Sequence, residues 1–285
     1  MFKLLNTELI FKVETMRRLA ALPLLIFIVF LAGCVGTQSG GGGPGVVIKG
    51  FSASPSTAEP GTTVLLQLFI QNSGGVKATG IDIKLLGGVL TSGWQGVTSE
   101  HIDELYQADP SRGMNEGEER EIDWTLTAPS PGKAVDMPYE TTAEVSYQYS
   151  TEANAQIKAV TLDHLRRTND KGGISFQKSS GGPISIKLTA PTTIISSGKV
   201  PVQIQISNVG SGYVEGDKLT FSVTGVAKCS TNEVRIPKGR TATIFCQIDT
   251  GEVNEYGIFP ITVSTSYRYF IDATTTITVL RAAPI

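Results

Sequence analysis

Cys34 closes the tetrapeptide Leu31-Ala32-Gly33-Cys34, and its neighbours prepare its thiol for a covalent reaction. Small residues before a cysteine suit a signal-processing cut, after which the sulfur can take up a diacylglyceryl group. The surrounding chain agrees. Arg17 and Arg18 form a basic flank, and Leu19 to Leu31 form an apolar run broken only by Pro23. That run falls short of the ~20 apolar residues a helix needs to cross a bilayer. A signal peptide with a lipobox over residues 1–34 is therefore expected, with Met16 as the true start, because Met1 to Thr15 fit neither design. The alternative is an uncleaved membrane helix that ends in an incidental cysteine. Two acyl chains hold a protein stably at a membrane where one does so marginally. Residues 35–45, mostly GTQSGGGGPG, then read as a flexible tether.

The remaining cysteines, Cys229 and Cys246, form a pair once Cys34 is consumed. Outside the cytoplasm such a pair oxidises, closing a loop that contributes about 3 kcal/mol on the chain-entropy account. Two separately buried thiols are the alternative. Zinc lacks its four ligands here, since no histidine accompanies the two cysteines.

A third place for chemistry is the segment 87–121, an acidic insertion. From Glu100 to Asp123 nine acids stand against Arg112 and Arg120, a local charge of minus seven. Calcium suits such oxygen ligands, with Asp103, Asp109 and Glu116 as the candidate set. The spacing matches no EF-hand, however, and charged runs are usually solvated faces. Ser99 to Tyr106 reads as a short helix with Ser99 as N-cap. Trp94, His101, Asp103, Glu104, Tyr106 and Asp109 are the candidate contact residues, since loops on a rigid scaffold collect binding groups. Trp94 either stacks on a sugar or a partner, or packs the loop onto its own scaffold. For an enzyme the signals are poor. His101 and His164 sit in different segments without a Gly-x-Ser-x-Gly elbow. A glycosidase carboxylate pair is a spatial feature that no sequence spacing reveals. Asp82 and Asp123 read as outward positions on strands. There is no phosphate loop and no Asn-x-Ser/Thr acceptor.

The elements that would hold these residues are strands. Thr, Ser, Val, Ile and Gly dominate, and long helical stretches are missing, which is the composition of an all-β protein. Lysine and arginine total 24 against 26 acids, so electrostatics offers no case for nucleic acid. The chain also repeats itself. VSYQY at Val145–Tyr149 matches TSYRY at Thr265–Tyr269, 120 residues on, and Ile70 to Gly74 matches Ile206 to Gly210 at a shift of 136. Alternation marks half-buried strands: Ile184, Ile186 and Leu188 on one face, likewise Val202, Ile204 and Ile206, and Ala143, Val145, Tyr147 and Tyr149. Trp124 and its counterpart Cys246 fall on inward positions, as do the paired tyrosines. The expectation is an all-β chain of two tandem immunoglobulin-like β-sandwiches of about seven strands each. They span 46–161, with the 87–121 insertion, and 183–285. A polar connector at 162–182 joins them, including a helical turn ahead of Gly172-Gly173.

Pro60-Gly61, the strand that runs to Asn72-Ser73-Gly74, and Gly80-Ile-Asp-Ile-Lys-Leu-Leu86 together resemble the CARDB-type immunoglobulin-like modules of bacterial and archaeal surface proteins. The second copy keeps Asn208 and Gly210 but has Ser197-Gly198 in place of Pro-Gly. The resemblance implies extracellular adhesion or presentation, with no catalytic residues to carry over. The reading is then a non-catalytic adhesion, scaffold or partner-recognition lipoprotein on the outer face of the cell membrane. Its partners would be the membrane, through the anchor, and another protein or an envelope component, with no cofactor unless calcium binds. The alternatives are an accessory lipoprotein of a transporter or surface filament, and a hydrolase with its site in 87–121.

Overall fold

The computed structural model describes residues 43–91, 93–130, 135–196, 198–225 and 228–281. Cys34, the apolar run before it and most of the Gly-rich tether lie outside them. Among the described residues no helix is long and apolar enough to cross a membrane.

Among the described residues sixteen strands carry the fold. In chain order they are β1 (Val46–Ser54), β2 (Thr57–Ala58), β3 (Thr63–Asn72), β4 (Ala78–Gly87), β5 (Ser99–Leu105), β6 (Glu119–Thr127), β7 (Met137–Val160) and β8 (Gly173–Ser179). The second series is β9 (Ile184–Thr189), β10 (Lys199–Asn208), β11 (Tyr213–Val214), β12 (Lys218–Thr224), β13 (Lys228–Cys229), β14 (Glu233–Arg235), β15 (Thr241–Asp249) and β16 (Tyr256–Val279). A helical turn, α1 (Gly88–Thr91), follows β4, and a short helix, α2 (Leu162–Thr168), follows β7. Thr161 caps α2 by accepting from the His164 N–H, and Asn169 ends it in the left-handed conformation.

The chain is an all-β sandwich protein, and the alternating residues take the predicted sides. Ile184, Ile186, Leu188, Val202, Ile204, Ile206, Ala143, Val145, Tyr147 and Tyr149 are all buried. Trp124 lies opposite Leu66 in one half and Cys246 opposite Val202 in the other, both buried. Two small sheets, β1-β3-β6 and β13-β15-β10-β9, are separate from each other. The third sheet has nine strands and is common to both halves, running β14-β12-β16-β7-β4-β5 with β2, β8 and β11 attached at its sides.

The common sheet exists because β7 and β16 are each 24 residues long and pair antiparallel over their whole length. At about 3.3 Å per residue such a strand reaches ~80 Å, far beyond the usual 17–20 Å. No single sandwich covers it, so each long strand serves both halves. The first half of β7 pairs with β4, and the second half pairs with β8. The C-terminal part of β16 lies beside the first half of β7. Gln148 faces Arg268, its own counterpart 120 residues on, so the pair is related by an approximate two-fold axis. The contact resembles an isologous interface drawn within one chain.

A repeated lock ties each half to this ribbon. Asn72 accepts the Gly74 N–H at 3.0 Å through Oδ1 and donates through Nδ2 to the carbonyls of Val76 and Leu105, at 2.9 and 2.8 Å. The Val76 N–H in turn donates to the Tyr149 hydroxyl at 3.2 Å. In the second half Asn208 donates to the Gly212 carbonyl at 3.1 Å, the Gly212 N–H donates to the Tyr269 hydroxyl at 3.0 Å, and that hydroxyl donates back to Asn208 at 2.7 Å. Asn-x-Gly therefore does more than turn the chain: its amide supplies bonds that the turn's buried backbone lacks.

The disulfide Cys229–Cys246 is formed, between directly opposed residues of β13 and β15. One expectation is corrected. Residues 99–106 form no helix: Ser99–Leu105 is β5, paired antiparallel with β4. Helix propensity and a capping serine are weak priors, and they lose to an open β4 edge. Ile102 packs partly buried opposite Ile81, and Leu105 is buried opposite Ala78.

Candidate functional site: an acidic groove between two strand edges

β5 and β6 are the edge strands of the two sheets that enclose the first half's core, and the chain passes between them through Tyr106–Glu118. The crossing is closed by the Glu118 N–H donating to the Tyr106 carbonyl at 2.9 Å and by the Tyr106 N–H donating to the Glu118 carboxylate at 3.0 Å. Along the rest of their length the edges leave an open groove of about 550 Å³. Glu100, His101, Ile102, Asp103 and Glu104 line it from β5, and Arg120, Glu121, Ile122 and Asp123 from β6. Five carboxylates stand against one guanidinium, and that guanidinium already pairs with Glu118 at 2.6 Å. Charged side chains on an edge resist addition of another strand. What the groove offers is charge and shape rather than strand pairing, with Ile102 and Ile122 among its lining residues.

His101, Asp103, Glu104 and Tyr106 are thus brought together on one edge. Asp103 is almost fully exposed, its carboxylate 3.6 Å from His101 Nε2. Glu104 is shared by the Lys77 ammonium and the Tyr106 hydroxyl, and Lys77 also lies 5.3 Å from the centre of the Tyr106 ring. The Lys77 hydrogen bond, with Tyr106 adding to it, holds the Glu104 carboxyl below its ordinary range. Asp109 is elsewhere, accepting from the Ser111 N–H at the start of a 3₁₀ turn and pairing with Arg112 at 3.2 Å. Glu116 accepts from Gln71 at 3.3 Å. Asp103, Asp109 and Glu116 do not converge, and no group of three metal-ligating side chains occurs among the described residues. Trp94 turns inward: its ring meets Tyr139 edge-on at 5.7 Å and packs against the core.

Three neighbours of His101 escaped the sequence reading. Its Nδ1 lies 2.6 Å from Asp82 Oδ1, the other oxygen of Asp82 receives the Arg268 guanidinium, and Arg268 also donates to Ser146 Oγ at 2.7 Å. The row His101–Asp82–Ser146 crosses β5, β4 and β7 on the outer face of the sheet. Only the pairing of Asp82 with both His101 and Ser146 assembles it, which no linear spacing signals. It is no nucleophile–base relay. The aspartate sits between serine and histidine, and the second imidazole nitrogen faces Asp103. Glycoside hydrolysis needs one carboxyl raised to act as acid. Every carboxyl whose pKa moves here, namely Asp82, Glu104, Asp109, Asp170 and Glu255, moves down toward a cation or a donor.

The Asp82 hydrogen bond holds the His101 pKa above the ordinary 6.5. The pair is therefore complete where Asp82 is ionised and His101 protonated, and is lost as pH rises through that elevated value. An NMR titration of the ring protons should place His101 above 6.5, and Asp82→Asn should bring it down. Titration at or below 6.5 in the unmodified chain would show that the pair does not form in solution.

No family model matches the chain, and no curated protein matches it in sequence. Among solved structures it is similar to the D0-D1 domain of intimin, at 10% identity and a TM-score of 0.19, over 82% of this chain and 98% of that one. It is also similar to collagen adhesin from S. aureus, at 11% identity and a TM-score of 0.15, over 82% and 92% of the two chains. A third likeness is to Escherichia coli alpha-2-macroglobulin activated by porcine elastase, at 11% and 0.22, covering 85% of this chain and only 33% of that one. Values this low say nothing of activity or partner.

Proposed function

We propose that the chain is a non-catalytic adhesion or recognition lipoprotein, tethered through Cys34 to the outer face of the cell membrane and built from two related CARDB-type modules. Its partner is another surface or envelope protein, bound through a basic segment laid in the β5–β6 groove. The observation that supports this most is the groove itself, a long acidic cleft whose one cation is already paired. A basic ligand gains from complementary potential in association rate and in specificity. Glu104, whose carboxyl the Lys77 hydrogen bond holds below its ordinary range, suits such a role. The lipobox and the disulfide agree with export.

The test uses the full chain on intact membranes with a photo-reactive residue at Asp103. It should cross-link to a lysine- or arginine-rich segment, and the yield should fall at least tenfold in Glu100→Lys/Asp103→Lys/Asp123→Lys, probed from His101, and fall with added salt. Cross-links to segments without basic residues, or a yield indifferent to charge reversal, would sink the proposal.

A further inference from the structure

The approximate two-fold axis exposes a difference between the halves. In the second half β8 lies along β7, and the inward residues Ala153, Ala155 and Ile157 are fully covered. The equivalent stretch of β16 is Ala273 to Ile277. β11 pairs with Tyr269 and Phe270, and β2 with Thr278 and Val279; among the described residues no strand pairs with this side of β16 between them. Ala273 and Thr275, counterparts of Ala153 and Ala155, are only half-buried. Across the core, Ile48 and Phe51 of β1 are also half-buried, whereas Ile186 and Leu188 of β9 are covered.

Backbone parity says which groups are left over. The Thr278 and Leu280 N–H groups donate away from β7, to Ser56 and Ala58. Bonded positions alternate along an antiparallel strand, so Asp272, Thr274 and Thr276 turn their N–H and C=O groups the same way. An edge is ordinarily blunted by charge, proline or a bulge. β5 is blunted in this manner; Thr274-Thr275-Thr276 is a run of good strand formers with no charge.

We infer that β16 from Asp272 to Thr276 is a strand-acceptor site, distinct from the acidic groove, for an extended segment of another protein lying antiparallel to β16 as β8 lies to β7. Its main chain would bond Asp272, Thr274 and Thr276. Alternate side chains would be small or apolar inward, over Ala273 and Phe51, and basic outward, because Asp272 lies opposite Glu144 and Thr276 opposite Glu140.

The probe is a labelled synthetic peptide of residues 171–181, KGGISFQKSSG, which contains β8 and two lysines. With the full chain it should bind saturably below about 1 mM, and hydrogen exchange should slow at the Thr274 and Thr276 amides. N-methylation at Phe176 and Lys178, the positions whose equivalents bond β7, should abolish binding. Thr274→Pro should weaken it at least tenfold: the lost N–H faces outward, and Pro260 already occupies a position of the same parity in β16. The groove cross-link should survive Thr274→Pro, so the two sites are told apart. Absence of saturable binding, or equal binding by the N-methylated peptide, would overturn the inference. So would Thr274 and Thr276 amides already protected in the free chain, which would place the chain's own upstream residues there. Self-association abolished by Thr274→Pro would assign the edge to a second copy and overturn it too.

Discussion

Gly74→Ala is expected to destabilise the protein by about 2–6 kcal/mol, although the change adds one methyl group. A Cβ at Gly74 would lie 1.9 Å from the Tyr149 hydroxyl oxygen and 2.9 Å from the Gly45 Cα. The tyrosine cannot step aside, because its ring is buried against Tyr147 and Tyr267. Overpacking costs about 1–3 kcal/mol, and moving the hydroxyl strands the Val76 N–H for about 1–3 more. Gly210 is placed in the same way, 2.5 Å from the Tyr269 hydroxyl and 2.8 Å from Pro183. The control is Gly113→Ala, where φ is +77° but the space is open, so only about 1–2 kcal/mol of left-handed strain is expected. Urea denaturation measures all of these. Adding Tyr149→Phe to Gly74→Ala should recover part of the loss, since the clashing oxygen is gone. A Gly74→Ala protein within about 1 kcal/mol of the parent, or strictly additive double-variant energies, would show that the hydroxyl lock is not tight.

Alkali should unfold the molecule through its centre. Tyr147, Tyr149, Tyr267 and Tyr269 meet beside the two-fold axis with ring centroids 5.9–6.3 Å apart. Burial pushes Tyr149 and Tyr269 up to about 12 and raises Tyr147 and Tyr267 as well. A phenol with a raised folded-state pKa contributes stability that is complete below its unfolded value, near 10, and is lost as pH climbs through the folded one. Each tyrosine then removes about 1.4 kcal/mol per pH unit in that window. For Tyr149 and Tyr269 together this reaches about 5 kcal/mol between pH 10 and 12, comparable with the whole stability of many domains. Phenolate absorbance and near-ultraviolet circular dichroism, followed in parallel, measure it. Four of the eight tyrosines should ionise only as the tertiary signal collapses. Smooth ionisation of all eight near pH 10 in an intact fold would contradict the buried cluster.

The acidic character of 87–121 was legible in the chain, but its architecture was not. Ser99 to Tyr106 has a capping serine and helix-tolerant residues, so local preference pointed to a helix while the β4 edge imposed a strand. His101 was placed correctly among acids, yet its firmest partner, Asp82, is 19 residues away and meets it only through β4–β5 register. Trp94 had two readings, and the edge-on Tyr139 ring settles on packing, the one that local sequence already favoured.

The sequence by itself determined which side chains of the alternating strands face inward and where the chain turns, and it offered Cys229 and Cys246 as a pair that the structure joins. Each of these follows from local periodicity, from turn chemistry or from counting. Tertiary structure alone decided which strands are neighbours. Backbone hydrogen bonds carry no side-chain label, so VSYQY and TSYRY announce a repeat without saying that the repeats face each other. That they pair antiparallel about Gln148 and Arg268 joins the two halves through one sheet. Among the described residues the same pairing leaves β16 with an edge that its twin strand β7 has filled.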